Sequence, residues 1–146
     1  MESKDLTKMA PRSPYETING FAILARTIDK CRAVIAETSG EYHFNCPLDK
    51  ALFGFKGIDA DEFKMYVESG ASDEEIGVWV FEHGTPKTVE EVKVWSEAFR
   101  TDFSYTTNPE KSTWFKGECA RLSLDPETTT LFDYLEVDDR ESFKVA

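Results

Sequence analysis

A helix start signal that recurs at short intervals is the feature that most constrains this fold. Three capping residues between positions 59 and 91 are each followed, three positions later, by an acid. In this pattern the cap accepts a hydrogen bond from the helix backbone, and the acid returns one to the N–H of the cap. Gly70 and Gly84 supply left-handed stops after the first two. The sequence therefore predicts short helices joined by tight turns. The pairs are Asp59 with Glu62, Ser72 with Glu75, and Thr88 with Glu91.

Proline marks three further starts. The residue before proline is held out of the helical region, whereas proline itself fits the first helical position, where its missing N–H would be unpaired anyway. We therefore expect helices to open at Cys46-Pro47, at Asn108-Pro109 and at Asp125-Pro126. Apolar residues at helical spacing predict one more, over TIDKCRAVIAETSG and ending near Gly40, with Cys31 in its buried stripe.

These elements predict an all-α single domain, residues 1–146, of about six or seven short helices around one aromatic-rich core. Eleven Phe and three Trp supply that core, and we place Trp79, Trp95 and Phe99 within it. Residues 1–20 read as an extended arm whose Arg12 is expected to pair with an acid. Residues from about 137 to 146 read as a charged, frayed tail. The expected exception to an all-helical chain is a two-stranded element in GEYHFN, residues 40–45.

Charge and cysteine usage limit the partners and the compartment. The formal net charge of −11 repels phosphate backbones and anionic lipid, so neither nucleic acid nor a membrane surface is expected as a partner. No apolar run approaches the roughly 20 residues of a membrane span, and the N-terminus lacks the apolar centre of a signal peptide. The three cysteines, at positions 31, 46 and 119, form no close pair. We expect a cytoplasmic protein with free thiols.

GEYHFNCPLDK, residues 40–50, is the stretch with most chemical content. Cys46 would lie at a helix N-terminus, where the partial positive charge favours a thiolate, and His43 could take its proton. Asp49 would oppose that thiolate, and no lysine or arginine belongs to the same turn except Lys50. A capping or core role for Cys46 is therefore the favoured interpretation.

A zinc site is the other alternative for this stretch. His43 and Cys46 would need Cys119 or His83 to complete it, but structural zinc draws its ligands from paired close spacings, and only one such pair exists here. Nucleotide-binding, zinc-protease and hydrolase motifs are absent from the sequence. We therefore expect neither a metal nor a cofactor.

Two functional hypotheses follow. The leading one is a non-catalytic protein that binds a small molecule or another protein in a pocket between residues 40–49 and the first helix. The alternative is a small enzyme or redox-responsive protein that uses Cys46. The candidate pocket residues are Tyr42, His43, Asn45, Cys46, Asp49, Arg26, Asp29 and Lys30.

Short segments along nearly the whole chain resemble a known family. They are DLTK at 5–8, PRSP at 11–14, RTIDK at 26–30, GEYHFNCPLD at 40–49, GIDADEF at 57–63 and ASDEEIGVWV at 71–80. Together they are similar to a bacterial family of small single-domain proteins catalogued only as a domain of unknown function. The resemblance implies a bacterial, single-domain, cytoplasmic protein, and it implies no activity, substrate, cofactor or catalytic residue.

Overall fold

The computed structural model describes residues 3–102 and 104–144, and within those ranges the chain is helical. Seven helices of 9 to 13 residues and one single-turn helix follow one another, and an isolated bridge joins Ile18 to Phe21. The predicted all-α single domain is confirmed. In these ranges no helix has the length and apolar character needed to cross a membrane. The helices are α1 (Leu24–Ile35), α2 (Pro47–Lys56), α3 (Ala60–Glu68), α4 (Asp73–Glu82), α5 (Val89–Arg100), α6 (Ser104–Thr107), α7 (Pro109–Arg121) and α8 (Leu131–Ser142).

The predicted caps begin α3, α4 and α5. The Asp59 carboxylate accepts hydrogen bonds from the N–H groups of Asp61 and Glu62, at 2.8 and 3.2 Å, but the predicted return bond from the Asp59 N–H to Glu62 is not formed within the described residues. Ser72 and Glu75 exchange reciprocal hydrogen bonds of 2.9 and 3.1 Å across the first turn of α4. Thr88 makes the same reciprocal pair at the start of α5. Because each cap satisfies backbone groups that the helix leaves unpaired, these three boundaries are encoded locally.

Two of the three proline starts are confirmed, and the third is wrong. Pro47 and Pro109 are the first residues of α2 and α7. Asp125, by contrast, accepts a hydrogen bond from the N–H of Glu127 at 2.9 Å within a turn. Helix α8 begins later, where the Thr130 hydroxyl accepts from the N–H of Asp133 at 3.0 Å. Thr130 directly precedes the apolar residues of the helix, so it is the better-placed cap.

Helix α1 lies at the centre of the main hydrophobic cluster, with Cys31 fully buried on it as predicted. The three large aromatics expected in the core are only partly buried. Trp79, Trp95 and Phe99 pack against the edge of the cluster, so their placement within it is corrected. Each ring packs on other rings; Trp95, for example, stacks on Phe55 with centroids 4.7 Å apart. Helices this short bury one narrow stripe fully and leave large neighbouring side chains at its margin.

A second, smaller cluster joins α7 to α8. Phe115 and Cys119 of α7 are buried there with Leu131 and Tyr134 of α8. Leu48 of α2 packs against both clusters. The neighbouring residues Leu131 and Phe132 bury their side chains in different clusters, Phe132 in the main one. The start of α8 therefore ties the two clusters together.

The N-terminal segment lies against the helical body. Residues 3–23 contain turns and no helix, and Leu6 is buried. The Arg12 guanidinium donates hydrogen bonds to the carboxylates of Asp29, at 3.0 Å, and Asp73, at 2.8 Å. Arg12 thus finds acidic partners as expected, and it links the arm to both α1 and α4.

Two expectations about irregular segments need correction. The segment predicted as a frayed tail from about residue 137 is helical as far as Ser142, because α8 continues through it. Asp139 in that segment is 8% exposed and pairs with Arg26; residues 145 and 146 lie outside the described ranges. Residues 40–45 form turns and not a two-stranded element.

Candidate functional site

A cavity of about 900 Å³ lies where α7 and α8 face α1 and α2. Residues 40–43 and Cys46, before and at the start of α2, form one side of it, and Leu6 and Thr7 of the arm reach its rim. Most of the exposed lining is apolar. The apolar side chains that line it include Leu48, Tyr105, Trp114, Leu131, Leu135 and Phe143.

A buried lysine joins the thiol and a carboxylate at one end of the cavity. Lys30, on α1, is 4% exposed. Its Nζ atom lies 2.9 Å from Oδ2 of Asp49 and donates a hydrogen bond to Sγ of Cys46 at 3.1 Å. The charge of the ammonium is therefore compensated by Asp49, while Cys46 is its neighbour on the cavity side.

The Asp49 carboxylate is held in place by four partners. Asp49 is fully buried. Besides Lys30, it accepts hydrogen bonds from the Thr27 hydroxyl at 2.6 Å and from the N–H groups of Asn45 and Cys46, at 2.9 and 3.4 Å. Asn45 adopts a left-handed φ of 62°, which asparagine tolerates better than most residues. This conformation turns the backbone so that two successive N–H groups reach the same carboxylate.

A second ion pair crosses from α1 to α8. Arg26 donates to both carboxylate oxygens of Asp139, at 2.7 and 3.2 Å. The Tyr42 hydroxyl donates to the same carboxylate at 2.8 Å, and its ring lies under the Arg26 guanidinium, 5.5 Å from the ring centroid. Burial, together with the hydrogen bond to Asp139, raises the pKa of Tyr42 well above its ordinary value. The Phe143 ring stacks against the Tyr42 ring, with centroids 6.4 Å apart.

The opposite wall comes from the aromatic residues of α6, α7 and α8. Trp114 is half exposed and meets the Tyr134 ring edge to face, with centroids 5.6 Å apart. Burial raises the pKa of Tyr105, and burial with a 2.6 Å hydrogen bond to Glu118 raises that of Tyr134. Lys111 lies over the Tyr105 ring at 4.6 Å from its centroid. The phenols of this wall are therefore neutral at ordinary pH.

The structure brings most of the predicted site residues together. Asp49 lies beneath the cavity as the partner of Lys30 and does not line it. Asn45 lines a separate shallow depression, and Asp29 faces away, paired with Arg12. Five of the eight line the cavity: Arg26, Lys30, Tyr42, His43 and Cys46.

The neighbour of the Cys46 thiol is a lysine and not the histidine considered in the sequence. His43 is exposed on the cavity rim, and among the described residues no hydrogen bond joins it to Cys46. Lys50 is the only cation in the turn of Cys46, and the cation that contacts the thiol, Lys30, comes from α1. Spacing along one helix could not reveal a partner that arrives from another helix.

The remaining thiols and histidine lie elsewhere. Burial raises the pKa of Cys31 to about 12, and burial also raises that of Cys119 in the second cluster. His83 stacks on Trp79 with ring centroids 4.3 Å apart. Within residues 3–102 and 104–144, no group of three or more histidine, cysteine, aspartate or glutamate side chains is placed to hold a metal ion.

Sequence reasoning missed the far wall of the cavity. Tyr105, Lys111 and Trp114 were not identified, and Asp138 and Phe143 were assigned to the tail. Trp114 did carry a signal: it adjoins Phe115 but lies off the buried stripe that continues to Cys119. A tryptophan outside the apolar face of a helix is a candidate for a pocket wall.

Fold and cavity together define a small all-α domain with a partly open, largely apolar pocket beside its first two helices. Within that class the chain belongs to the family described as Domain of unknown function (DUF5069), which it matches over residues 8–141. None of the curated proteins matches the chain.

Proposed function

We propose that this protein is a non-catalytic binding domain that takes a small, mostly apolar molecule into the cavity between α1, α2, α7 and α8. The observation that carries the proposal is the cavity itself. Its volume of about 900 Å³ falls within the range of roughly 300 to 1,000 Å³ typical of ligand sites. Aromatic and aliphatic walls with a few convergent polar groups are the usual composition of such sites.

The charges around the cavity favour an uncharged ligand. Lys30 and Arg26 are the buried cations at its edge, and each already has a carboxylate partner, Asp49 and Asp139. A charged ligand held against these two residues would therefore lose its hydration without meeting an uncompensated opposite charge, which is costly in a buried site. A ligand with an uncharged apolar part against the walls and one polar group near Lys30 therefore suits the cavity better than a charged ligand.

Binding of a neutral, fluorescent apolar dye, Nile red, tests the proposal. The dye should bind with increased fluorescence, and Leu135→Trp, which fills the cavity, should weaken binding at least tenfold. Val94→Trp is the matched control, because Val94 is 56% exposed on α5 and does not line the cavity. Equal binding by the two variants, or none by the wild type, would contradict the proposal.

A second candidate function rests on one contact. The 3.1 Å hydrogen bond from Lys30 to Cys46 gives the thiol a cationic neighbour at the edge of the cavity. Reactive cysteines in proteins are found beside such cations. This contact supports a small enzyme or a redox-responsive protein that uses Cys46.

The state of the cysteines also supports a cytoplasmic location. Cys31, Cys46 and Cys119 are all free thiols. Free thiols persist where glutathione and thioredoxin keep them reduced. We therefore propose that the protein acts in the cytoplasm, with a small molecule or a protein as its partner, and the resemblance to the family implies that this cytoplasm is bacterial.

A further inference from the structure

We propose that the Lys30–Cys46 pair captures an aldehyde reversibly, as a hemithioacetal on the Cys46 sulfur. This inference rests on the proposed function, because the apolar body of the aldehyde would occupy the same cavity. The structural basis is the placement of a nucleophilic atom and a hydrogen-bond donor side by side at the end of an apolar pocket.

The Lys30 ammonium has a donor to spare. Of its three N–H groups, one faces Asp49 and one Cys46, and no residue that the structure describes accepts from the third. Lys30 is nevertheless 4% exposed and lines the cavity. A buried donor without an acceptor is unfavourable, so the site is suited to a ligand that brings an oxygen acceptor there.

The thiol stands next to that donor. Cys46 is the residue before the first turn of α2, is partly exposed, and lines the same cavity. A carbonyl oxygen bound to Lys30 would place its carbon beside the sulfur. The helix N-terminus and the ammonium both stabilise the negative charge that develops on the oxygen during attack.

The step balances without any co-reactant. The Cys46 sulfur forms a bond to the carbonyl carbon, and the electron pair of the carbonyl π bond moves to the oxygen. Lys30 gives that oxygen a proton and regains one from the thiol. The product is a hemithioacetal with a free hydroxyl group, nothing is oxidised or reduced, and the reverse step releases the aldehyde.

Geometry favours addition at the carbonyl carbon, as in an aldehyde, over β-addition to an enone. In a hemithioacetal, sulfur and oxygen are bonded to the same carbon, so one ammonium can contact both atoms. In β-addition to an enone the oxygen lies two atoms further from sulfur, so one ammonium contacts both atoms only in folded conformations of the adduct. Lys30 is not assigned as the nucleophile, because its Nζ atom already pairs with Asp49 at 2.9 Å and donates to Cys46 at 3.1 Å.

Hydrocinnamaldehyde and hydrocinnamyl alcohol form a matched pair of probes, since they differ only at the reacting carbon. Binding of both is measured by calorimetry to the wild type and to Cys46→Ser. Serine is a good helix cap, so this variant should fold. The aldehyde should bind the wild type at least tenfold more tightly than the alcohol, and this difference should vanish in Cys46→Ser.

Chemical trapping identifies the atom that is modified. With a ¹³C label at the aldehyde carbon, the wild-type complex should show a resonance for that carbon distinct from those of the free aldehyde and its hydrate, and Cys46→Ser should not. Borohydride should leave no covalent adduct on Lys30, since reduction fixes imines and not hemithioacetals. A stable adduct on Lys30 would overturn the assignment of sulfur as the nucleophile.

Two lysine variants separate the role of Lys30 from a general effect of charge. Lys30→Met should reduce the preference for aldehyde over alcohol at least tenfold, whereas Lys93→Met, at an exposed lysine of α5 that does not line the cavity, should leave it unchanged. If the alcohol binds and the aldehyde has no advantage, the capture is refuted and the binding pocket stands. If neither binds, both the pocket and the capture are refuted.

Discussion

Replacing Asp49 by asparagine should strongly destabilise the fold, because it removes the counterion of a buried lysine while keeping the shape of the side chain. Asp49 is fully buried and Lys30 is 4% exposed, so water cannot take over the lost interaction. Breaking a buried ion pair by removing one partner costs about 3 to 5 kcal/mol. We expect the free energy of unfolding to fall by that amount, as measured by urea denaturation followed by far-ultraviolet circular dichroism.

A double-variant cycle shows whether the loss comes from the pair. Lys30→Met alone leaves the Asp49 carboxylate without its cation, although the Thr27 hydroxyl and two backbone N–H groups still donate to it. In Asp49→Asn with Lys30→Met neither charge remains, so the double variant should be more stable than the sum of the single losses predicts. Coupling between residues in contact typically reaches about 0.5 to 3 kcal/mol. Additive losses, or a loss below about 1 kcal/mol for Asp49→Asn, would refute the reasoning.

Three other predictions concern the stability of the fold around the site. Gly84→Ala should cost at least about 1 to 2 kcal/mol, because its φ is +74° and a Cβ there would lie 1.9 Å from the Lys56 carbonyl oxygen; Gly54→Ala, with open space around its Cβ, is the control and should not destabilise. The raised pKa of Tyr42 means that its phenol stays protonated to a higher pH in the folded state than in the unfolded chain. Stability must therefore fall as pH rises above about 10, and Tyr42→Phe should reduce that fall in denaturation measured across this range. Deletion of residues 1–14 should lower the Tm, since it removes the Arg12 ion pairs and uncovers core that Leu6 covers; an unchanged Tm would show that the arm contributes nothing.

Local signals in the sequence predicted the helices well. Ser72 with Glu75, and Thr88 with Glu91, satisfy each other within one turn, so no distant residue is needed to place these starts. The Asp125-Pro126 signal gave a wrong prediction because it is also local. An Asp-Pro pair stabilises an isolated turn as well as a helix start. The choice between turn and helix depended on Thr130 and on the packing of α8, which a local pattern does not contain.

The candidate site was predicted on one side only. Its near side lies in one continuous stretch, from Tyr42 to Cys46, where unusual residues adjoin a helix start. The far wall comes from α7 and α8, more than 60 positions later, and only tertiary packing brings Trp114 and Phe143 to it. The contact between Lys30 and Cys46 was missed because it joins two helices.

The first turn of α8 connects the main hydrophobic cluster with the smaller cluster of α7 and α8. Leu131 and Phe132 are joined by one peptide bond, yet one side chain lines the cavity and the other lies in the main cluster. We expect a molecule that displaces the Leu131 side chain to move this turn, and Phe132 with it. Ligand binding in the pocket should therefore be detectable by NMR at core residues that do not contact the ligand. Those residues should show chemical-shift changes and slower amide exchange.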